Sequence, residues 1–243
     1  MGKERLDLLL LKRGIAPSRE KAKVIILAGE VYVSGEKVTK PDRKYPDDVQ
    51  IELRGNPVPY VSFGGLKLEK AIKEFGLQIS GKKAIDVGAS TGGFTDCLLR
   101  FGASHVYAVD VGKNQLHHSL RSDPRVTVME GVNARYLKYE MIGEFLEIAT
   151  IDVSFISIKK IIPRVCEVIK PGGFILALVK PQFEVGRFEV GKNGIVRNHE
   201  AIRRVLREMK EFGENLNLLF KGELVAQKEK EKKNTEYFLL WEK

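Results

Sequence analysis

Cysteine and histidine are scarce in this chain, and their scarcity argues against two classes of protein. The 243 residues include two cysteines and four histidines. Cys97 and Cys166 lie far apart in apolar helical patterns, which indicates core thiols rather than a disulfide framework. His117 and His118 are adjacent, so their side chains diverge, and no histidine pair has the spacing typical of a zinc site. The composition therefore predicts a protein without a metal.

Long apolar runs are also lacking. Apolar runs such as residues 8–11 and 174–179 are far shorter than the roughly 20 residues that cross a bilayer. The N-terminal apolar stretch is too short for a signal peptide and has no small-residue cleavage site. We therefore expect a cytoplasmic protein without membrane insertion.

Positive charge is what the chain has in excess. Its formal net charge of +9 favours a polyanionic partner, with nucleic acid before an anionic membrane surface. Hydrophobic residues make up 43% of the sequence, which is enough for a globular fold. The length allows one sizeable core and a smaller appended domain.

A glycine-containing turn follows a short apolar run near the middle of the chain. Residues 84–87 are apolar apart from one aspartate, residues 88–93 contain three glycines, and helical spacing resumes as far as Phe101. A second apolar run, residues 105–109, ends at Asp110. These elements predict a strand–turn–helix–strand unit. The carboxylate follows the turn by about twenty residues, the spacing at which an acid reaches a ribose diol.

The glycine positions indicate which nucleoside-containing cofactor fits this turn. The dinucleotide fingerprint needs a second glycine two residues after the first, where this chain has Ser90, and no P-loop sequence occurs. A nucleoside without phosphates, S-adenosylmethionine, fits better, although such glycines can also serve only helix–sheet packing. The predicted cofactor-binding residues are Asp86, Gly88, Ser90, Thr91, Gly92, Gly93, Asp110, Asn133 and Asp152.

Residues 1–54 predict a small α+β domain. Two short helices, the second capped by Ser18, precede a strand pair around a Ser34-Gly35 turn and a strand at residues 49–53. The stretch RLDLLLLKRGIAPSREKAKVIILAGEVYVSGEKV resembles the S4 RNA-binding domain, which implies that a basic helix pair contacts RNA phosphates. The interspersed acidic residues also permit a merely solvated face. The candidate RNA-binding residues are Arg5, Lys12, Arg13, Arg19, Lys21 and Lys23.

Residues 55–60 interrupt all periodicity and contain two prolines, which predicts a semi-rigid linker.

Residues 61–243 then alternate predicted strands and helices, which is typical of a doubly wound, mostly parallel α/β sheet. They include a helix over residues 157–169, a turn at residues 171–173 and a strand over residues 174–179. The basic cluster at residues 228–233 is most simply a solvated hairpin loop. Ligands of such sheets bind outside the carboxyl ends of the strands.

Four charged residues, Lys67, Asp152, Lys180 and Glu236, stand at predicted strand ends or at a helix start. Such residues are usually on the surface, so position alone does not establish a shared site. However, the motif order FGGLKL, IDVGASTGGFTD, VDVG, IDVSFIS, LVKPQFE, GIVR and NTEYFLL, after an S4-like segment, resembles the TlyA family. This family of ribosomal RNA methyltransferases includes proteins named hemolysins, and its catalytic domain is related to the FtsJ/RrmJ ribose methyltransferases.

The resemblance covers nearly the whole chain and implies a fold, a reaction and a site. It implies a Rossmann-like class I methyltransferase domain, S-adenosylmethionine as methyl donor, and 2′-O-methylation of cytidine in the RNA of ribosomal subunits. The family's catalytic tetrad falls on Lys67, Asp152, Lys180 and Glu236. Phe63 departs from the basic residue that often precedes the paired glycines, so an RNA contact at that position is not carried over.

The chemistry of a ribose hydroxyl suggests a role for each member of the tetrad. Such a hydroxyl is a very weak acid, and a lysine can take its proton only in the neutral form, which burial or a nearby cation favours. The hypothesis is that Lys180 orients and deprotonates the hydroxyl, Asp152 and Lys67 fix its geometry, and Glu236 anchors the second amine.

Three rival interpretations are a membrane-active hemolysin, a non-catalytic RNA-binding protein that retains the fold, and a base methyltransferase. No segment is amphipathic or apolar enough to build a pore. Base methyltransferases typically carry an Asn-Pro-Pro-Tyr-like sequence or a catalytic cysteine, and the sequence from Asp152 to Phe155 offers neither.

Overall fold

The structure is a computed structural model that describes residues 3–54, 60–227 and 234–243. The chain divides into two compact units, Met1–Leu66 and Lys67–Lys243. Most of the predicted linker, residues 55–59, lies outside the described residues, and so does the basic cluster at residues 228–233.

The first unit is a small α+β domain. Its elements are β1 (Lys3–Arg5), α1 (Leu6–Lys12), α2 (Arg19–Leu27), β2 (Val31–Val33), β3 (Glu36–Val38), β4 (Lys44–Pro46) and β5 (Ile51–Leu53). β1 pairs with β4, and a second sheet has the order β3-β2-β5, with all pairs antiparallel. The sequence interpretation missed β1 and β4, because three residues are too few to show a period of two.

The helix pair of the first unit is held together by a small apolar core. Leu6 and Leu10 of α1 pack with Ile26 of α2 and Val31 of β2, and all four are completely buried. The predicted cap is confirmed, because the Ser18 hydroxyl accepts a hydrogen bond from the backbone of the first turn of α2. One face of each helix is thus buried, and the charged side chains other than Asp7 of α1 are left at least partly exposed.

The second unit alternates strands and helices, and α3 enters it from the first unit. Its helices are α3 (Gly64–Phe75), α4 (Gly93–Arg100), α5 (His118–Arg121), α6 (Tyr139–Ile142), α7 (Ile162–Val168) and α8 (His199–Asn215). Its strands are β6 (Lys83–Val87), β7 (His105–Asp110), β8 (Val126–Glu130), β9 (Leu146–Ile151), β10 (Ile169–Val179), β11 (Leu219–Gln227) and β12 (Glu236–Glu242).

These strands form one sheet in the order β11-β12-β10-β9-β6-β7-β8. β8, β7, β6, β9 and β10 run parallel, and β12 is antiparallel to both of its neighbours. The predicted mostly parallel α/β fold is therefore confirmed. From β6 the chain builds the sheet outward through β7 and β8, then returns to add β9 on the other side. The order therefore reverses between β6 and β9, and ligands bind at such a switch point.

Two local predictions were wrong. The Pro-Gly-Gly sequence at residues 171–173 lies inside β10, where the register with β9 shifts between Ile169 and Phe174, so it forms an irregularity of the strand rather than a separate turn. The helix predicted over residues 157–169 is divided into a 3₁₀ turn, Ile158–Lys160, and α7. The proline in the first turn of α7 explains the break, since it favours a helix start.

The core of the second unit lies along the sheet. Trp241 and Phe238 of β12 are completely buried, and Ile202, Val205 and Met209 place one face of α8 against this core. Asn198 caps α8 as predicted, since its side chain accepts two backbone N–H bonds. Among the described helices, none is long and apolar enough to cross a membrane.

Candidate active site

The two loops at the switch point are in close contact. Gly88 follows β6 with a φ of 89°, and a Cβ there would collide with the backbone carbonyl of Asp152, which follows β9. The Asp152 N–H donates to the Val87 carbonyl at 2.9 Å. Glycine is therefore required at position 88 both by the left-handed backbone and by the close approach of the second loop.

Ser90 and Asp110 join the glycine turn to the end of β7. Ser90 has a φ of 48°, and its N–H donates to Oδ2 of Asp110 at 2.8 Å, while the Gly112 N–H donates to Oδ1 at 2.7 Å. Each carboxylate oxygen thus keeps acceptor capacity for a diol. Because the Ser90 amide is already used within the protein, it is not directed at a pyrophosphate, which agrees with a nucleoside cofactor that lacks one.

A cavity of about 1080 Å³ opens at these strand ends. Five of the predicted cofactor-binding residues line it, namely Gly88, Ser90, Asp110, Asn133 and Asp152. The sequence interpretation did not identify its other polar lining residues, which are Gln115, Arg135, Ser154, Ser157, Lys160 and Arg187. The cavity is thus polar near the glycine turn and basic on part of its wall.

Asp86, which the sequence analysis assigned to the cofactor, lies inside the sheet. Its side chain is completely buried and accepts hydrogen bonds from the hydroxyls of Thr95 at 2.7 Å and Thr150 at 3.0 Å. Burial raises the pKa of Asp86 to about 7, against the opposing effect of the two hydroxyls. Both carboxyl oxygens of Asp86 are therefore hydrogen-bonded to hydroxyls of the protein itself, beneath the glycine turn.

The remaining three predicted cofactor residues shape the turn and the start of α4. The Thr91 carbonyl accepts the His117 N–H. Gly92 is the N-cap of α4 with a φ of 96°, and a Cβ there would collide with the Leu120 side chain. Gly93 is the buried first residue of the helix. These residues fix the path of the turn that brings Gly88 and Ser90 to the cavity.

The structure brings the predicted catalytic residues together as two ion pairs. Nζ of Lys180 lies 2.6 Å from Oδ1 of Asp152, and Nζ of Lys67 lies 2.6 Å from Oε2 of Glu236. Val179 is paired with Tyr237, so the same antiparallel register continued by one residue sets Lys180 opposite Glu236. The two pairs are therefore neighbours, and Asp152 connects them to the cavity.

The four side chains are largely shielded from solvent and balanced in charge. The Lys180 side chain is 11% exposed, and those of Lys67 and Glu236 are each 19% exposed. Lys180 also donates to the Ser154 hydroxyl at 2.9 Å, a partner that the sequence interpretation missed. An ammonium has three N–H donors, so the hydrogen bond to Ser154 leaves donors for a further acceptor.

Two residues that hold the loops of the site were also missed. Asn234 accepts the Val196 N–H and donates to the Gly194 carbonyl, both at 2.8 Å, and so ties the 181–197 loop to the start of β12. Glu130 accepts three backbone N–H groups of residues 114–116 beside the cavity. Its hydrogen bond from Arg121, together with these amides, lowers the pKa of Glu130 to about 2. Asn234 lies in the NTEYFLL motif and could have been predicted from the sequence, whereas no sequence pattern marks Glu130.

Phe155 stands out at the rim of the cavity. It is 91% exposed, has a φ of 64°, and its ring centroid lies 5.1 Å from that of Phe183.

Within the described residues, no group of three or more His, Cys, Asp or Glu side chains is placed to hold a metal ion.

Comparison with known proteins matches both units. Residues 60–243 match the FtsJ-like methyltransferase family and residues 4–51 match the S4 domain. YqxC of Bacillus subtilis is 51% identical over 221 residues, which cover 90% of this chain and 79% of that protein. The Mycobacterium tuberculosis protein named 16S/23S rRNA (cytidine-2'-O)-methyltransferase TlyA is 40% identical over 214 residues, covering 86% and 80%. A solved structure of a Streptococcus thermophilus protein named as a hemolysin has a TM-score of 0.77 and 43% identity, covering 100% of this chain and 89% of its own.

Proposed function

This chain belongs to the TlyA family of FtsJ-like methyltransferases, and we propose that it transfers a methyl group from S-adenosylmethionine to the 2′-oxygen of cytidine in ribosomal RNA. One observation carries this proposal. The Lys180–Asp152 pair borders the cavity through Asp152, and the Lys67–Glu236 pair lies next to the Lys180–Asp152 pair. A lysine set of this kind suits an oxygen acceptor that must be oriented and must lose a proton.

The cavity fits a nucleoside-containing methyl donor. Asp110 would bind the ribose diol with its two carboxylate oxygens, and Gly88 lets the backbone approach the ligand closely. Asn133 and Gln115 would contact the adenosine portion. When bound, S-adenosylmethionine supplies an electrophilic methyl group. The protein then has to place the acceptor oxygen and receive its proton.

Lys180 is the residue proposed to do both. An N–H of Lys180 that is not donated to Ser154 can be directed at the ribose hydroxyl, which orients the oxygen. A proton passed from the ammonium to Asp152, 2.6 Å away, would leave a neutral amine that accepts the hydroxyl proton. Lys67 adds positive charge beside the developing oxyanion, and Glu236 holds that second amine in place. Orientation alone can lower a barrier by about 7–11 kcal/mol, so positioning would supply much of the rate.

The first unit supports ribosomal RNA as the partner. It matches the S4 domain, and its candidate RNA-binding residues lie on or next to a helix pair. Fixed cations on a rigid module gain affinity by releasing counterions from RNA. With ribosomal RNA as the substrate, we propose that the activity is cytoplasmic.

Replacement of Lys180 by alanine tests the reaction. Methyl transfer from labelled S-adenosylmethionine to isolated ribosomal subunits should fall by at least about 100-fold, because the orienting and proton-accepting group is lost. Calorimetry should find the cofactor affinity within roughly twofold of wild type, since Asp110 and the glycine turn are intact.

Lys170→Ala is the matched control. Lys170 lies at the opposite end of β10 and pairs with Glu147 at 2.9 Å, so its removal breaks a similar ion pair far from the cavity. This variant should retain activity. Substantial methyl transfer by Lys180→Ala, or a methyl group mapped to a base rather than a 2′-oxygen, would contradict the proposal. A wild-type protein that binds ribosomal RNA without methylating it would support the non-catalytic alternative.

A further inference from the structure

A buried carboxylate in the first unit binds two arginines. Asp7, the second residue of α1, has a side chain that is completely shielded from solvent. Its Oδ1 accepts from Nε of Arg5 at 2.9 Å, and its Oδ2 accepts from Nη2 of Arg5 at 3.1 Å and from Nε of Arg19 at 3.0 Å. Both guanidinium groups therefore converge on a single carboxylate oxygen. A buried carboxylate of this kind requires such partners.

The two arginines are held firmly at one end and are accessible at the other. Their side chains are 34% and 41% exposed. Among the described residues, the other N–H groups of the two guanidinium groups have no hydrogen-bond partner. Burial alone would raise the pKa of Asp7, but the hydrogen bonds from Arg5 and Arg19 lower it below its ordinary value, so the carboxylate stays charged.

We propose that Asp7 is a positioning residue that assembles Arg5 and Arg19 into one phosphate-binding site for the RNA backbone. Two adjacent guanidinium groups repel each other, and without the shared anion they would separate. Held side by side, they present a rigid set of donors whose planar geometry matches phosphate oxygens. This inference rests on the proposed RNA partner, but it assigns a role to an acidic residue that cannot itself contact phosphate.

The charge of Asp7 makes the test decisive. Asp7→Asn keeps the side-chain size and adds one positive charge to the module. If the arginines act only as charges, the variant should bind RNA more tightly. If Asp7 positions them, it should bind roughly tenfold more weakly, and the slope of log affinity against log salt should fall by about 0.7–0.9 for the lost phosphate contact.

Glu20→Gln is the matched control, because it makes the same charge change at an exposed position of α2. Binding is measured with the full chain and a labelled ribosomal RNA hairpin by fluorescence anisotropy, over a range of salt concentrations. Glu20→Gln should bind as tightly as wild type or more tightly. Equal behaviour of the two variants would overturn the proposal.

A second variant, Arg19→Lys, tests the proposal independently in case Asp7→Asn does not fold. Arg19→Lys keeps the charge and the bidentate Arg5–Asp7 pair, but it removes the planar donor set. We expect at least roughly fivefold weaker hairpin binding, and affinity equal to wild type would overturn the proposal. In both variants the KM of methyl transfer for ribosomal subunits should rise. Failure of methyl transfer in the wild type would instead count against the proposed function. The hairpin-binding measurement would still test the role of Asp7.

Discussion

Replacement of Asp86 by asparagine should change how the stability of the second unit depends on pH. The pKa of Asp86 is raised by burial from 3.8 to about 7 in the folded protein. Each unit of difference between folded and unfolded states is worth about 1.36 kcal/mol. The shift therefore corresponds to at most about 4 kcal/mol.

The sign follows from which state holds the proton. Below about pH 4 the carboxyl is protonated in both states, and its ionisation does not change the free energy of unfolding. Between about pH 4 and 7 the folded state keeps a proton that the unfolded state has lost, so wild-type stability decreases as pH rises and levels off above 7. Asparagine does not ionise, and its amide can hydrogen-bond with Thr95 and Thr150 as the protonated acid does. The variant should match wild type near pH 4 and exceed its stability at pH 8.

The single tryptophan makes this measurable in the second unit alone. Trp241 is completely buried in β12, so its fluorescence during urea unfolding reports the methyltransferase core. The difference in unfolding free energy between Asp86→Asn and wild type is determined at each pH from 4 to 8. Glu140→Gln, which neutralises an exposed carboxyl in α6, is the control and should show little dependence. A difference for Asp86→Asn that stays constant across this range would refute the reasoning.

Two further predictions concern the cavity and the ion pairs. Gly88→Ala forces a side chain into the Asp152 carbonyl at a positive φ, so it should destabilise the second unit by more than about 1 kcal/mol and weaken S-adenosylmethionine binding in calorimetry. Wild-type affinity and stability would contradict this assignment. Ser154→Ala removes one of the two partners of Lys180, and we expect kcat for methyl transfer to fall roughly tenfold while cofactor affinity is unchanged. A fall in cofactor affinity alone would show that Ser154 serves the donor rather than the lysine.

The sequence predicted the parts of the site that depend on local pattern. Gly88 and Asp110 stand at the ends of β6 and β7, where the apolar runs stop, and both line the cavity. The capping residues Ser18 and Asn198 were equally readable, because a cap is recognised within three residues.

What escaped the sequence depends on strand order and register. The register that sets Lys180 opposite Glu236 exists because β12 runs antiparallel beside β10, and no local pattern encodes that insertion. Asp86 shares a register position with Thr150 of β9, which explains why its carboxyl faces a hydroxyl within the sheet. Glu130 was missed because its partners are backbone amides, which have no sequence signature.

The place of β12 in the sheet also sets the order in which the site is completed during protein synthesis. Glu236 pairs with a lysine 169 residues earlier in the chain. At about 5–20 residues per second, a ribosome takes on the order of ten to thirty seconds to make that interval. Every residue that lines the cavity has been made by Arg187, well before Glu236 and its strand emerge. A growing chain thus has all the residues of the donor pocket, together with Lys67, Asp152 and Lys180, before Glu236 is made. The Lys67–Glu236 pair can therefore form only late, when β12 inserts beside β10.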